Sequence, residues 1–293
     1  MAEPMQNDKN AALAPREEQA EVERAVSTLR HELLDPIGDM QGEDDRQFIT
    51  ALARGLELLR CFSAKHPHLG NQELSQMTGL PKPTISRLTY TLSRLGYIRQ
   101  VPNSSKFQLS VGVLAFGYSM LSNVSLRSMA QPHMTALADY AGAAVAMAAR
   151  DRLNMIYLDV VQGKGHVTMR RQVGSHLPIH QSSMGRACLA AMPEEERDFL
   201  LDALRDKYPQ EWPKIQQDLN QAFQDYQDYG YCFSFGDWQK DVNSVAVPFM
   251  HEQYGLLVFN CGGPSFVMKP EKLQQDLAPH LLLMVNNIRA ELG

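Results

Sequence analysis

Apolar positions recur at helical spacing in the first part of the chain and then give way to alternation. Phe48, Ile49, Leu52, Leu56, Leu58, Leu59 and Phe62 mark an amphipathic helix over about 46–63, which stops at Lys65-His66-Pro67. A short second helix is expected from Asn71, as its cap, through Leu74 and Met77 to Gly79, a residue suited to a left-handed turn. Pro81 and Pro83 suit the first turn of a third helix, whose Ile85, Leu88, Leu92 and Leu95 form one apolar stripe before Gly96 ends it. Tyr97–Val101 and Lys106–Leu109, on either side of Pro102-Asn103-Ser104-Ser105, read as a hairpin. Three helices and a hairpin in that order make a winged helix-turn-helix over 46–110, whose third helix suits a major groove.

The pattern beyond it differs. Residues 111–123 are small and apolar, as in a linker helix, and Ser125–Tyr140 reads as another helix. Ala143–Ala149 and Met155–Val161 alternate as strands around Asp151–Asn154, with Val167–Arg170 a third. Helices are expected at 184–191, 194–206 and 214–229, and strands at 231–235, 243–249 and 256–261. Pro270 opens a last amphipathic helix through Leu292. Without strict βαβ alternation, the fold class is α+β with a curved antiparallel sheet. The organisation is then an extension over 1–45, the winged domain at 46–110, a linker helix at 111–124 and an α+β domain at 125–293.

Charge divides along the same lines. The chain has 293 residues and a net charge of −5, but residues 1–45 hold twelve Asp/Glu against four Lys/Arg, and residues 46–115 hold nine Lys/Arg against Glu57 and Glu73 alone. A basic segment inside an acidic protein is the footprint of a nucleic-acid-binding module, since neutralised phosphates release condensed counterions. On a helix turning about 100° per residue, the face opposite the apolar stripe of the third helix carries Ser86, Arg87, Tyr90 and Arg94, with Lys82 and Pro83 near its start. These are donors for phosphates and base edges. Lys82 and Thr84 would position the duplex, as would Ser105 and Lys106 of the wing. A protein-docking cap is the alternative that the basic balance disfavours. In the extension, Val22, Ala25, Val26, Leu29 and Leu33 form a narrow apolar stripe over 17–34, to be set against a solvated acidic tail.

The run Glu73-Leu74-Ser75-Gln76-Met77-Thr78-Gly79-Leu80-Pro81-Lys82-Pro83-Thr84-Ile85-Ser86-Arg87-Leu88, then Leu95-Gly96-Tyr97, closely resembles the DNA-binding domain of the IclR family of bacterial regulators. Leu177-Pro178-Ile179-His180, Ser183-Met184-Gly185-Arg186-Ala187, Gly230-Tyr231, Val245-Ala246-Val247-Pro248 and Gly262-Gly263-Pro264 are similar to landmarks of its effector-binding domain, so the resemblance covers about 46–293. It implies a transcriptional regulator, more often a repressor than an activator. Such a protein binds a pseudo-palindromic operator in double-stranded DNA as a homodimer or homotetramer. A small-molecule effector controls it, here an organic or aromatic acid. Carried over by position, the effector cup is lined by Ser183, Met184, Ser234, Val242, Ser244, Asn260 and Gly262. Val242 and Ser244 share one strand face, as do Asn260 and Gly262. Many members have an acidic cluster where this chain has Ser234-Phe235-Gly236-Asp237-Trp238. Its loss leaves the usual small-acid ligand less secure, and Trp238 with Phe233 or Phe235 could receive an aromatic ring. Arg170 and Arg171 face opposite sides of a strand, so one at most could pair with a ligand carboxylate.

Other chemistries find little footing. G-x-S-x-G, H-E-x-x-H, G-x-G-x-x-G and P-loop patterns are missing, His251-Glu252 lacks a second histidine, and His176 and His180 are separated by Pro178. The chain is therefore expected not to be an enzyme and to need no metal or cofactor. Cys61, Cys188, Cys232 and Cys261 form no C-x-x-C pair and read as inert buried thiols. No apolar run approaches a membrane span, and the N-terminus is acidic where a signal peptide would be basic. A cytoplasmic protein without a membrane partner is expected. A non-DNA-binding docking or sensor protein is the remaining alternative.

Overall fold

A computed structural model describes residues 48–122, 125–164 and 172–292. The proposed helix in the extension, the third strand at 167–170, and Arg170 and Arg171 lie outside the described residues. The chain divides into two compact units, one ending at Ser125 and the other continuing from Leu126.

In the first unit, α1 (Thr50–Arg60), α2 (Asn71–Thr78) and α3 (Lys82–Arg94) pack around Leu58, Leu69, Leu74, Leu80, Ile85 and Ile98. Asn71 does not cap α2 as the sequence suggests. Gly70 is the cap, and the Glu73 carboxylate accepts its N–H at 2.6 Å. Gly79 adopts φ 69°, a conformation that costs a residue with Cβ, and turns the chain from α2 into α3. The Ser75 hydroxyl donates to the Leu80 carbonyl at 2.6 Å and holds that turn. The wing pairs β1 (Ile98–Gln100) with β2 (Phe107–Leu109) in the register Ile98 to Leu109. Leu69 bridges to Phe107 and adds a third extended segment. α4 (Val111–Ser122) follows and buries none of its residues.

The second unit is α+β. Its six-stranded antiparallel sheet has the order β5-β4-β3-β8-β7-β6, with β3 Ala144–Asp151, β4 Asn154–Gln162, β5 His176–Pro178, β6 Cys232–Phe235, β7 Val242–His251 and β8 Gly255–Pro264. β5 escaped the sequence reading because it is three residues long and ends in proline. One sheet face, carrying Ala146, Ala148, Ala246 and Val258, packs on α6 (Ser183–Ala191), behind which lie α7 (Glu194–Lys207) and α8 (Trp212–Tyr229). The other, carrying Val245, Val247, Phe249 and Phe259, is covered by the C-terminal helix. That helix is not one regular element. It comprises α9 (Pro270–Lys272), a π-helical turn at Leu273–Leu277, and α10 (Ala278–Leu292). α5 (Ser125–Ala141) runs beside it, joined by Tyr140 to Asp276 and His133 to Glu291, each at 2.8 Å. None of the helices described is long and apolar enough to cross a membrane.

Candidate functional site

Burial of Ile85, Thr89 and Leu92 fixes the rotation of α3 and leaves the opposite face open. Ser86, Arg87, Tyr90 and Arg94 fall within an arc of about 100° on that face and are exposed, Tyr90 by 67%. Lys82 is exposed at the head of the helix. Thr84 lies differently. It is half-buried on the flank and lines a 660 Å³ apolar groove with Leu52, Leu56, Leu88 and Phe116, while Arg87 stands on the groove's rim.

The wing divides between an open tip and a fixed base. Ser105 is exposed, but Lys106 is committed within the unit, its Nζ 2.7 Å from Glu73 Oε1. That ammonium, and then the Gly70 amide, hold the Glu73 carboxyl below its usual range. The pair ties the wing to α2, a link the sequence does not announce because its partners are 33 residues apart. Arg99 sits within reach of Gln108, whose amide, turned so that its oxygen faces the guanidinium, accepts at 2.6 Å.

In the second unit all seven residues assigned to the cup are buried. The register places Ser234 opposite Ser244 and Ser244 opposite Gly262, and Asn260 opposite Ala246 one row away on the same face. Ser182 caps α6 by accepting the Gly185 N–H at 3.1 Å, and Ser183, the first residue of that helix, meets Ser244 of this row. The Ser183 and Ser244 hydroxyls are 2.8 Å apart, and Ser234 Oγ donates to the Gln181 carbonyl at 2.9 Å. Close approach sets the glycines here. A Cβ on Gly262 would stand 2.6 Å from that of Ser244, and one on Gly185 would collide with the Ile179 carbonyl. Phe233 and Phe235 are corrected by the register, for they flank Ser234 and point to the opposite sheet face. There they stack at 5.2 Å between ring centres, and Tyr231 meets Phe233 edge-on at 5.3 Å. Only Trp238 packs against the α6 side.

Arg186, passed over as a family landmark, organises the rim. Its buried guanidinium donates to the carbonyls of His180 at 3.3 Å and Phe233 at 3.0 Å, and to Asp237 Oδ2 at 2.8 Å. The same carboxylate accepts the Phe235 N–H at 3.1 Å. β6 is a sheet edge, so the Arg186–Asp237 pair satisfies backbone groups that a further strand would otherwise take. His180 is buried against the Tyr208 ring, 4.8 Å between centres, and its Nδ1 has no hydrogen-bond partner among the described residues. Burial, reinforced by Arg186 and Lys207, pushes it down to about 4, so it is neutral at pH 7. His176, on β5, is 3.8 Å from Asp151. His251 accepts the Gln253 N–H at 3.0 Å in the β7–β8 turn. Burial pushes the Cys188 thiol up to about 12 and raises that of Cys232 too, which makes both poor nucleophiles. No cluster of three or more His, Cys, Asp or Glu suited to a metal occurs among the described residues.

Both units match known families. Residues 51–102 match the IclR helix-turn-helix domain, and residues 118–287 match the bacterial transcriptional regulator IclR C-terminal domain. A crystal structure of an IclR family transcriptional regulator from Brucella abortus is 60% identical and superposes with a TM-score of 0.84, covering 88% of this chain and 98% of that one. The HTH-type transcriptional regulator TsaQ1/TsaQ2 of Comamonas testosteroni is 35% identical over 257 residues, 87% of this chain and 92% of that protein. The transcriptional repressor IclR of Escherichia coli (strain K12) is 32% identical over 155 residues, 52% of this chain and 57% of the relative.

Proposed function

Because the chain belongs to the IclR family of bacterial transcriptional regulators, we propose that it is a cytoplasmic repressor that binds a pseudo-palindromic operator and is released by an organic or aromatic acid. Residues 46–110 bind DNA, 111–124 link, and 125–293 sense the acid. The observation that carries the reading is the exposed face of α3, where Ser86, Arg87, Tyr90 and Arg94 stand clear of their own core. Ser86, Arg87, Tyr90 and Arg94 supply base-edge and phosphate contacts. Lys82, Thr84 and Ser105 position the duplex, while Lys106 acts mainly by holding the wing to Glu73.

One recognition helix reads only a few base pairs, so two copies are required for a specific site. α4 provides their contact. It is apolar all round, and a helix of that kind has to be covered. Val113 and Phe116 line the groove of its own unit, whereas Val111, Leu114 and Tyr118 are 84%, 71% and 70% exposed. A second copy on that side makes the dimer, and two dimers the tetramer.

The ligand chemistry follows from the cup. Ser183, Ser234, Ser244 and Asn260 line it with neutral polar groups, and the N-terminus of α6 favours an anion. Met184 and Val242 accommodate its apolar part. The acid shifts the population between arrangements of the paired recognition helices, by no more than its differential affinity for the two. Titration of a panel of hydroxy-, oxo- and aromatic acids into the protein–operator complex tests this. Release of DNA by an acid recovered chemically unchanged is expected. Consumption of the acid would make the cup an active site, and an unresponsive complex throughout the panel would remove this ligand class.

A further inference from the structure

α4 and α5 are consecutive, with only residues 123 and 124 between them in sequence, so the covalent route from the sensing unit to the DNA-binding unit starts at the first turn of α5. The sheet is irregular where that turn meets it. Met147 of β3 pairs with Asp159 of β4, but the next residue, Ala148, pairs with Tyr157, which leaves Leu158 as the extra residue of a bulge. Bulges re-aim the residues beside them. Here Asp159 emerges on the face that Met147 shares with Phe259, away from the cup, and is only 5% exposed.

A carboxylate in that position needs a cation. Arg127, in the first turn of α5, provides it, with Nε 3.0 Å from Oδ2 and Nη2 donating to Oδ1 at 3.4 Å. Oδ1 also accepts the Val160 N–H at 2.9 Å, whereas Oδ2 accepts no hydrogen bond from the described residues and is held by the guanidinium charge. Val160, the next residue, pairs with Ala146, which pairs with Asn260. The carboxylate that anchors α5 is thus one peptide unit from the cross-strand row that carries Asn260 of the cup.

We propose that the Arg127–Asp159 pair is the joint that fixes the start of α5 on the sheet and so sets the course of the chain into α4 and the spacing of the two recognition helices in the dimer. Both are positioning residues; neither contacts DNA or ligand. The inference rests on the reading of the protein as a dimeric DNA binder, and it distinguishes this pair from an ordinary stabilising ion pair by its place at the root of the linker.

The test uses the full chain and a symmetric operator selected from a random duplex library. Affinity is measured for that operator and for the same half-sites moved apart by one base pair, which rotates one half-site by about a tenth of a helical turn. The wild type is expected to discriminate between them by about tenfold or more. Asp159→Asn, which removes the buried charge with little change of shape, is expected to reduce that ratio to about threefold or less while each DNA-binding unit still recognises its half-site. Arg127→Gln combined with Asp159→Asn should behave as Asp159→Asn does, since partners in one interaction are not additive. If Asp159→Asn melts at a lower temperature but keeps the wild-type ratio, the pair is merely stabilising and the proposal is overturned. If that variant does not fold, an undiminished ratio in the double variant overturns it in the same way. A wild type indifferent to the inserted base pair would overturn both this inference and the dimeric reading beneath it.

Discussion

Arg87 and Lys106 are both basic residues of the DNA-binding unit, yet they are in different situations. Arg87 is exposed on α3, and Arg87→Ala is expected to weaken operator binding by about 1–3 kcal/mol if its guanidinium grips a base edge. Fluorescence titration of labelled operator measures this, and an unchanged affinity in a correctly folded variant removes Arg87 from the interface. Lys106 is already neutralised by Glu73. Lys106→Ala is therefore expected to alter the salt dependence of binding less than Arg94→Ala, which should lower the slope by about one. Equal slopes for the two variants would show that DNA strips Lys106 from its partner. His180 carries a pH dependence. Its folded pKa lies below the unfolded 6.5, so its contribution is fully present above pH 6.5 and is lost as pH falls toward 4, at most about 3 kcal/mol. His180→Phe should flatten the melting temperature between pH 7 and 4, whereas a slope equal to the wild type's would place the acid sensitivity elsewhere. Residue identities on α3 were legible because a helical period fixes which side faces out. The ties of Lys106 and Arg186 were not, because they join residues far apart in the chain.

At the scale of elements, alternation and periodicity predict most strands and helices, since each buries one face. The exceptions have local causes. β5 is too short to alternate, and the π-helical turn at Leu273–Leu277 inserts its extra residue into an apolar series, Leu273, Leu277 and Leu281, that still looks regular. The sequence lets Phe233 or Phe235 join Trp238 in receiving an aromatic ring, but strand alternation turns both phenylalanines away from the cup. Packing between elements supplies two further predictions. Gly262→Ala forces β7 and β8 apart at Ser244 and should destabilise the α+β unit by about 1–3 kcal/mol, visible as a lower melting temperature. A melting temperature equal to the wild type's would mean that the strands yield freely. Asp237→Ala leaves both the Phe235 N–H and Arg186 short of a partner, so the amide of Phe235 should exchange with solvent faster than in the wild type. Equal protection in the two proteins would show that the edge of β6 is closed by something else.

For the whole molecule, the charge division along the chain and the change from helical to alternating pattern are consistent readings of one design: a basic helix-turn-helix unit followed by an α+β unit. The α+β class, the antiparallel sheet and the family could be read from sequence because two ordered domains carry independent signatures. What α4 meets, and through which residues α5 is anchored, depends on surfaces that sequence patterns do not pair. Selection of bound fragments from a genomic library by the full chain at two salt concentrations tests the central claim most directly. Enrichment of a two-fold symmetric motif that persists at the higher salt is expected, because base contacts survive the screening that removes nonspecific attraction. Binding that is unselective and disappears with salt would contradict it.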